Sequence, residues 1–217
     1  MIADRLRQVR ERILEAALAS GREPGSVRLL AVTKTHPAAA VHAARAAGQT
    51  LFGENRVQEA ASKYEGLPDA ELHLIGHLQR NKAKLAPGLF SWVESVDSLA
   101  VAEALSRRYE AAGLTCRVLL QFNSSGEPSK SGYGQADALL EDAAQIALLP
   151  GIELRGVMTI GPFVEDPAPI ARAFAATRRL YERLRASLPE ARVDTLSMGM
   201  TDDFPIAIAE GSTLVRI

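Results

Sequence analysis

Two hydrophobic rhythms alternate along the chain. Short apolar runs of strand type fall at residues 28–33, 50–53, 72–76, 90–94, 116–122, 153–159, 192–196 and 213–217. Between them lie alanine-rich stretches of helical type at 37–47, 55–65, 98–112, 135–148, 167–187 and 202–210, with a shorter segment at 79–86. Nearly continuous apolar strands are buried on both faces, so strand–helix alternation of this kind predicts a parallel sheet covered by helices. Eight strands in that order predict a closed (β/α)8 TIM barrel, with a doubly wound open sheet as the rival. Ahead of the first strand, Ile2, Leu6, Val9, Ile13 and Leu18 mark one face of an amphipathic helix that Gly21 is placed to end. No linker, low-complexity tract or composition break divides the chain, so residues 1–217 read as a single domain.

Composition narrows the function classes. Hydrophobic residues make up 47% and charged residues 24%, enough apolar material for a sizeable core. The net charge of -1 gives no electrostatic footprint for nucleic acid or an anionic membrane. The one cysteine, Cys116 in CRVLLQF, has no internal disulfide partner, which fits a reducing cytosol and a cytoplasmic protein. No stretch approaches a membrane span, and MIADRLRQVRERILEAALASG lacks the continuous apolar stretch of a signal peptide. The apolar face of the first helix has two uses, covering the barrel bottom or pairing with a second copy. A monomer is the expectation.

In barrels of this type the chemistry sits at the C-terminal ends of the strands. Lys34 ends strand 1 in LLAVTKTHP, and Asn55, His77, Ser95, Asn123, Thr159, Ser197 and Arg216 end the others. Lys34 has two readings. It is a strand-end lysine reaching solvent, or a partly buried amine whose pKa desolvation lowers, freeing it to attack a carbonyl. The segment TLSMGMTDDFP (195–205) either uses Thr201 as a helix N-cap or binds phosphate with backbone N–H groups and the Ser197 and Thr201 hydroxyls. Asp202 and Asp203 count against an anion there unless they point away. GST at 211–213 precedes strand 8 and so lies at the wrong end of the barrel. An inward Arg216 needs a carboxylate or a ligand as partner. His73 and His77 in HLIGH lie on a strand rather than on one helical turn, which makes a weak metal case, and no metal site is expected. The polar loop SSGEPSKSGYG (124–134), with Lys130, is either a lid or a surface loop.

LLAVTKTHP, LFGENRVQE, LHLIGHLQRNK, SVDS, GEPSKSGY, GVMTIGP, LSMGMTDDFPIAI and GSTLVRI occur in this order across nearly the whole chain. Together they strongly resemble the YggS/PROSC family of pyridoxal 5′-phosphate (PLP) homeostasis proteins, whose fold is similar to the N-terminal barrel of alanine racemase. The resemblance implies that Lys34 carries PLP as an internal aldimine. It implies that Ser197, Gly199 and Thr201 form the phosphate turn and that Asn55 lines the cofactor. It places Arg216 against the pyridine nitrogen, where a cation disfavours protonation and weakens the ring as an electron sink. Three features depart from the family. His36 stands where some relatives have a second lysine, Thr201 replaces a serine, and this sequence stops at Ile217, where the family continues past VRI with a Gly-Thr pair that helps bind phosphate.

Three functions compete. The first is a PLP carrier without turnover, exchanging its cofactor with amines or with PLP-dependent apoenzymes. The second is a PLP-dependent amino-acid racemase, for which this sequence shows no added β domain to supply a second base. The third is a cofactor-free Schiff-base aldolase, which would show no chromophore. The carrier accounts for every matched segment, and it is the expected function.

Overall fold

In the computed structural model, which describes every residue except 68, 128 and 129, eight parallel strands close into a barrel in sequence order. They are β1 Arg28–Val32, β2 Leu51–Glu54, β3 Glu71–Leu74, β4 Trp92–Val96, β5 Cys116–Phe122, β6 Ile152–Thr159, β7 Thr195–Ser197 and β8 Leu214–Arg216. Each pairs with its neighbour, and β8 returns to β1 through Arg28–Leu214, Leu29–Val215 and Leu30–Arg216. That closure decides against the open sheet. The helices are α1 Ile2–Ala19, α2 Ala38–Ala46, α3 Val57–Lys63, α4 Leu99–Ala111, α5 Ala136–Ile146, α6 Pro167–Ser187 and α7 Phe204–Ala209. Between β3 and β4 the crossover is a 3₁₀ helix, Arg80–Leu85, because QRNKAKLA runs into Pro87 with room for little more than one turn.

Three local expectations change. Helix α7 begins at Phe204 rather than near 202, and Asp203, not Thr201, is its N-cap. Pro205 explains the shift, since proline is tolerated only in a helix's first turn. The α1 stripe runs through Ile13 and Ala17, both buried, and leaves Leu18 at 54% exposure. With 3.6 residues per turn, position 17 lies under position 13 and position 18 does not. The buried side of α1 packs against Val27, Phe204, Ile208 and Val215 of its own chain, so its apolar face is covered internally. Ser95 lies inside β4, where its hydroxyl donates to the Gly76 carbonyl.

The main core lies between the sheet and the helices, with Val41, Phe52, Leu72, Leu105, Ile146, Phe174 and Leu196 all 2% exposed or less. The barrel interior differs. Its apolar part is a small separate cluster of Trp92, Leu119 and Met158. The guanidinium groups of Arg28, Arg117 and Arg155 lie 5.7, 5.6 and 5.3 Å from the Trp92 ring centre. The Trp92 indole N–H donates to Glu71 at 2.6 Å. Arg28, Glu71 and Trp92 open their strands, so this layer plugs the N-terminal end of the barrel. Among the described residues, no helix is long and apolar enough to cross a membrane.

Candidate functional site

A cavity of about 610 Å³ opens at the C-terminal ends of the strands. Lys34, Asn55, Thr201 and Arg216 all line it, as do His36, His77, Asn123 and Lys130. Four of the six residues expected at a cofactor site therefore converge from β1, β2, the β7–α7 turn and β8.

Lys34 follows β1 in a tight turn closed by the His36 N–H donating to the Thr33 carbonyl. Its side chain is exposed toward the cavity, and among the described residues its Nζ has no hydrogen-bond or ion-pair partner. The backbone on either side is clamped from behind. The Thr33 carbonyl accepts from Lys63 Nζ at 2.7 Å, and the Thr33 hydroxyl donates to Glu54 Oε1 at 2.7 Å and meets the Tyr64 hydroxyl at 2.6 Å. Lys63 Nζ also reaches Glu54 and Glu59, both at 2.8 Å, and Glu59 accepts the Thr35 N–H at 2.8 Å. Thr35 sits at φ 66°, a left-handed conformation that β-branched residues avoid, so the clamp holds a strained turn. Burial works against the Lys63 ammonium, but its bonds to Glu54 and Glu59 outweigh that, and its pKa lies above the ordinary lysine value. Burial likewise pushes the Tyr64 hydroxyl upward, so it stays a neutral donor.

Across the cavity Arg216 is buried. Nη1 donates to Ser197 Oγ at 2.9 Å and Nη2 to the Thr159 carbonyl at 2.8 Å. Ser197 Oγ in turn donates to Glu94 Oε2 at 2.6 Å, and Glu94 Oε1 meets His73 Nδ1 at 2.6 Å. The partner that an inward arginine requires is thus a carboxylate reached through a hydroxyl. Burial raises the Glu94 pKa, but the His73 and Arg216 cations and the Ser197 bond overcome it, leaving a carboxylate. Burial also opposes a charged His73, while Glu71 and Glu94 on its two nitrogens raise its pKa.

Ser197 and Gly199 do not line the cavity. Ser197 bridges Glu94 and Arg216 instead. Gly199, at φ 96°, lets the turn lie on α7, where a Cβ would come within 2.6 Å of Ala207 Cβ and 2.9 Å of Phe204 Cα. Its carbonyl accepts the Arg216 backbone N–H at 2.9 Å. Gly76 lines the cavity and is bare for a similar reason, since a Cβ there would sit 2.3 Å from the Asn55 carbonyl oxygen. Asp203 turns its carboxylate to the Met200 N–H, and Asp202 is exposed. Lys130 donates to Glu127 at 2.7 Å and the Gly161 carbonyl at 3.3 Å, while residues 128 and 129 of its loop lie outside the described residues. Ser212 donates to carbonyls of β7 and β8, a structural role away from the cavity. His77 pairs with Asp97 at 3.1 Å, and no metal-binding group of three or more ligands forms among the described residues. An amine, a buried guanidinium and a hydroxyl-bearing turn around one cavity suit a flat ligand with a carbonyl, a ring acceptor and an anionic end.

Residues 5–217 match the family model described as alanine racemase, N-terminal domain. The chain is 47% identical over 220 residues to a pyridoxal phosphate homeostasis protein of Pseudomonas aeruginosa, covering all of this chain and 92% of that one. It is 43% identical over 227 residues to the protein of that name in Escherichia coli, again over all of this chain and 93% of the relative. Among solved structures, PipY of Synechococcus elongatus with PLP bound superposes with a TM-score of 0.86 at 40% identity, covering 100% of this chain and 97% of that one.

Proposed function

The chain belongs to the alanine racemase N-terminal domain family, and we propose that it is a PLP homeostasis protein that binds the cofactor in this cavity, covalently at Lys34. The observation that carries this reading is the Lys34 amine and the Arg216 guanidinium opening onto one cavity, the backbone turn around Lys34 held by the Lys63 clamp and Arg216 held by Ser197 and Thr159. The donor set fits the group. PLP supplies an aldehyde for a primary amine, a ring nitrogen and a phosphate. Lys34 provides the amine. Arg216 faces the ring nitrogen with a group that stays charged at any working pH, which keeps that nitrogen unprotonated. Thr201 and the N–H groups of its turn meet the phosphate, and Asn55 contacts the ring from β2. Ser197 and Gly199 act indirectly, by holding Arg216 and by shaping the turn.

The protein works as a carrier rather than a catalyst. A permanently cationic neighbour makes the ring a poor electron sink. The exposure of Lys34 leaves the covalent bond open to exchange with amines or with PLP-dependent apoenzymes. The test is an absorbance spectrum before and after borohydride, with the modified peptide mapped by mass spectrometry. A visible band fixed by reduction onto Lys34, and lost in Lys34→Ala, is expected. A Lys34→Ala protein with an equally occupied, reducible chromophore would overturn the anchor. No chromophore after addition of PLP would favour the cofactor-free aldolase.

A further inference from the structure

The hydrogen bonds behind Arg216 run through the barrel interior. Arg216 Nη1 donates to Ser197, Ser197 to Glu94, Glu94 meets His73, and His73 Nε2 meets Glu71 Oε1 at 3.3 Å. Arginine has donors and no acceptor, so the Ser197 oxygen accepts from Arg216 and its single proton goes to Glu94. Glu94 must therefore accept at Oε2. His73, fully buried between two carboxylates, donates from both nitrogens as an imidazolium. The charges along this line alternate: Glu71 negative, His73 positive, Glu94 negative, Arg216 positive. Arg28, Arg117 and Arg155 flank its Glu71 end around Trp92, and Asp203 lies beside Arg216.

Barrel interiors are ordinarily filled with branched apolar side chains. A buried ion chain is no more stabilising than a well-packed apolar replacement. What this one achieves is placement. The Thr159 carbonyl alone would leave Arg216 one anchor, and the Ser197–Glu94 pair supplies a second one carrying the opposite charge.

We propose that His73 is a positioning residue for the cofactor site, holding Glu94 as the carboxylate that, through Ser197, sets the orientation and electrostatic surroundings of Arg216. The proposal rests on the reading that PLP occupies the cavity with its ring nitrogen toward Arg216. Replace His73 by glutamine, and Glu94 keeps a hydrogen-bond donor but loses the cation in direct contact with it, leaving only Arg216 beyond Ser197. A buried carboxylate so placed takes up a proton within the working pH range. Once neutral, it no longer balances Arg216, and the surroundings of the ring become pH-dependent.

The experiment uses native protein, His73→Gln and Ser197→Ala, each loaded with PLP. Absorbance is recorded as a function of pH, PLP affinity is measured, and borohydride labelling of Lys34 is mapped in every variant. His73→Gln is expected to show a titration of the bound chromophore between about pH 5 and 8 that the native protein lacks. Its PLP Kd should rise about tenfold on the acid side, the size of one lost charged hydrogen bond. Ser197→Ala keeps the His73–Glu94 pair, so it should show a shifted band and weaker binding without the new titration. A merely structural role for His73 would change melting temperature but add no titration. The proposal is overturned if Lys34 is still labelled and both variants match the native spectrum, pH profile and Kd within about twofold. Should His73→Gln fail to fold, Ser197→Ala, which removes a single hydroxyl, decides by its band and its Kd alone. Absence of label on Lys34 in native protein overturns the PLP reading itself, and this proposal with it.

Discussion

Replacing Lys63 with methionine removes the ammonium behind the Lys34 turn while keeping most of the side chain's bulk. Lys63 is 6% exposed and makes three bonds of 2.7–2.8 Å, to the Thr33 carbonyl, Glu54 and Glu59. Glu54 is fully buried, and among the described residues its Oε2 has no partner even in the native protein. Without Lys63, that carboxylate keeps only the Thr33 hydroxyl. Breaking a buried pair from one side costs about 3–5 kcal/mol. For a chain of this size, each kcal/mol moves the melting temperature by about 2–4 °C. A fall on the order of 10 °C is therefore expected for ligand-free Lys63→Met, followed by circular dichroism. Most of the cost is the stranded charge, so Lys63→Met combined with Glu54→Gln should recover more than half of the loss. That double variant should still bind PLP more weakly than native protein, because the Thr33 carbonyl no longer has an ammonium to fix the turn. Two results would refute this reasoning. One is a Lys63→Met melting temperature within about 2 °C of native. The other is a double variant whose loss equals the sum of the single losses.

The interior charges set a pH profile. The His73 pKa is raised, so its stabilisation is complete below its ordinary value of 6.5 and is lost as pH climbs through the raised one. Glu71 is lowered to about 2, chiefly by its hydrogen bond with His73, and Glu94 is lowered as well. Their contribution is present above the ordinary 4.5 and lost on acidification. Urea midpoints measured across pH should reflect this trio with a maximum between 4.5 and 6.5, and His73→Gln should flatten the alkaline limb. Gly199→Ala should cost about 2 kcal/mol or more in urea unfolding and weaken PLP binding by shifting the Thr201 turn, since its Cβ meets α7 at a left-handed φ. Gly134→Ala, with nothing within 4 Å of its Cβ, is the control and should stay within about 0.5 kcal/mol of native.

The barrel was legible because parallel strands buried on both faces read as apolar runs, and their count and alternation leave few architectures. Strand ends were less so. Runs 192–196 and 213–217 shrink to three-residue strands, since ladder pairing begins only at Thr195 and Leu214. Lys34, Asn55 and Arg216 were read at strand ends and Thr201 in the turn after β7, and all four line the cavity. Ser197 was misplaced by one step in the geometry: it ends β7 facing Arg216 and Glu94, not the cavity. The Glu54–Lys63–Tyr64 clamp was not visible, because Lys63 lies on a helix whose burial depends on tertiary packing. The interior charges did leave a trace. ELHL alternates polar with apolar residues, a period of two among runs otherwise apolar, and that alternation marks the inward face of β3, whereas WVES in β4 carries no such period.

Strand β8 both delivers Arg216 and seals the barrel against β1. These two completions are one event during folding. Until β8 docks, β1 and β7 present open edges, and Glu94 and Ser197 face each other without their cation. Pairing distant parts of a chain carries the largest loop-closure entropy, so this step is expected to come late. A chain caught before it has strand edges prone to intermolecular pairing and no guanidinium in the cavity. On the reading that PLP binds this cavity, its capture would report completion of the ring, because a chain without β8 in place has no Arg216 there, and binding would pull the closed molecule further from the aggregation-prone intermediate by mass action.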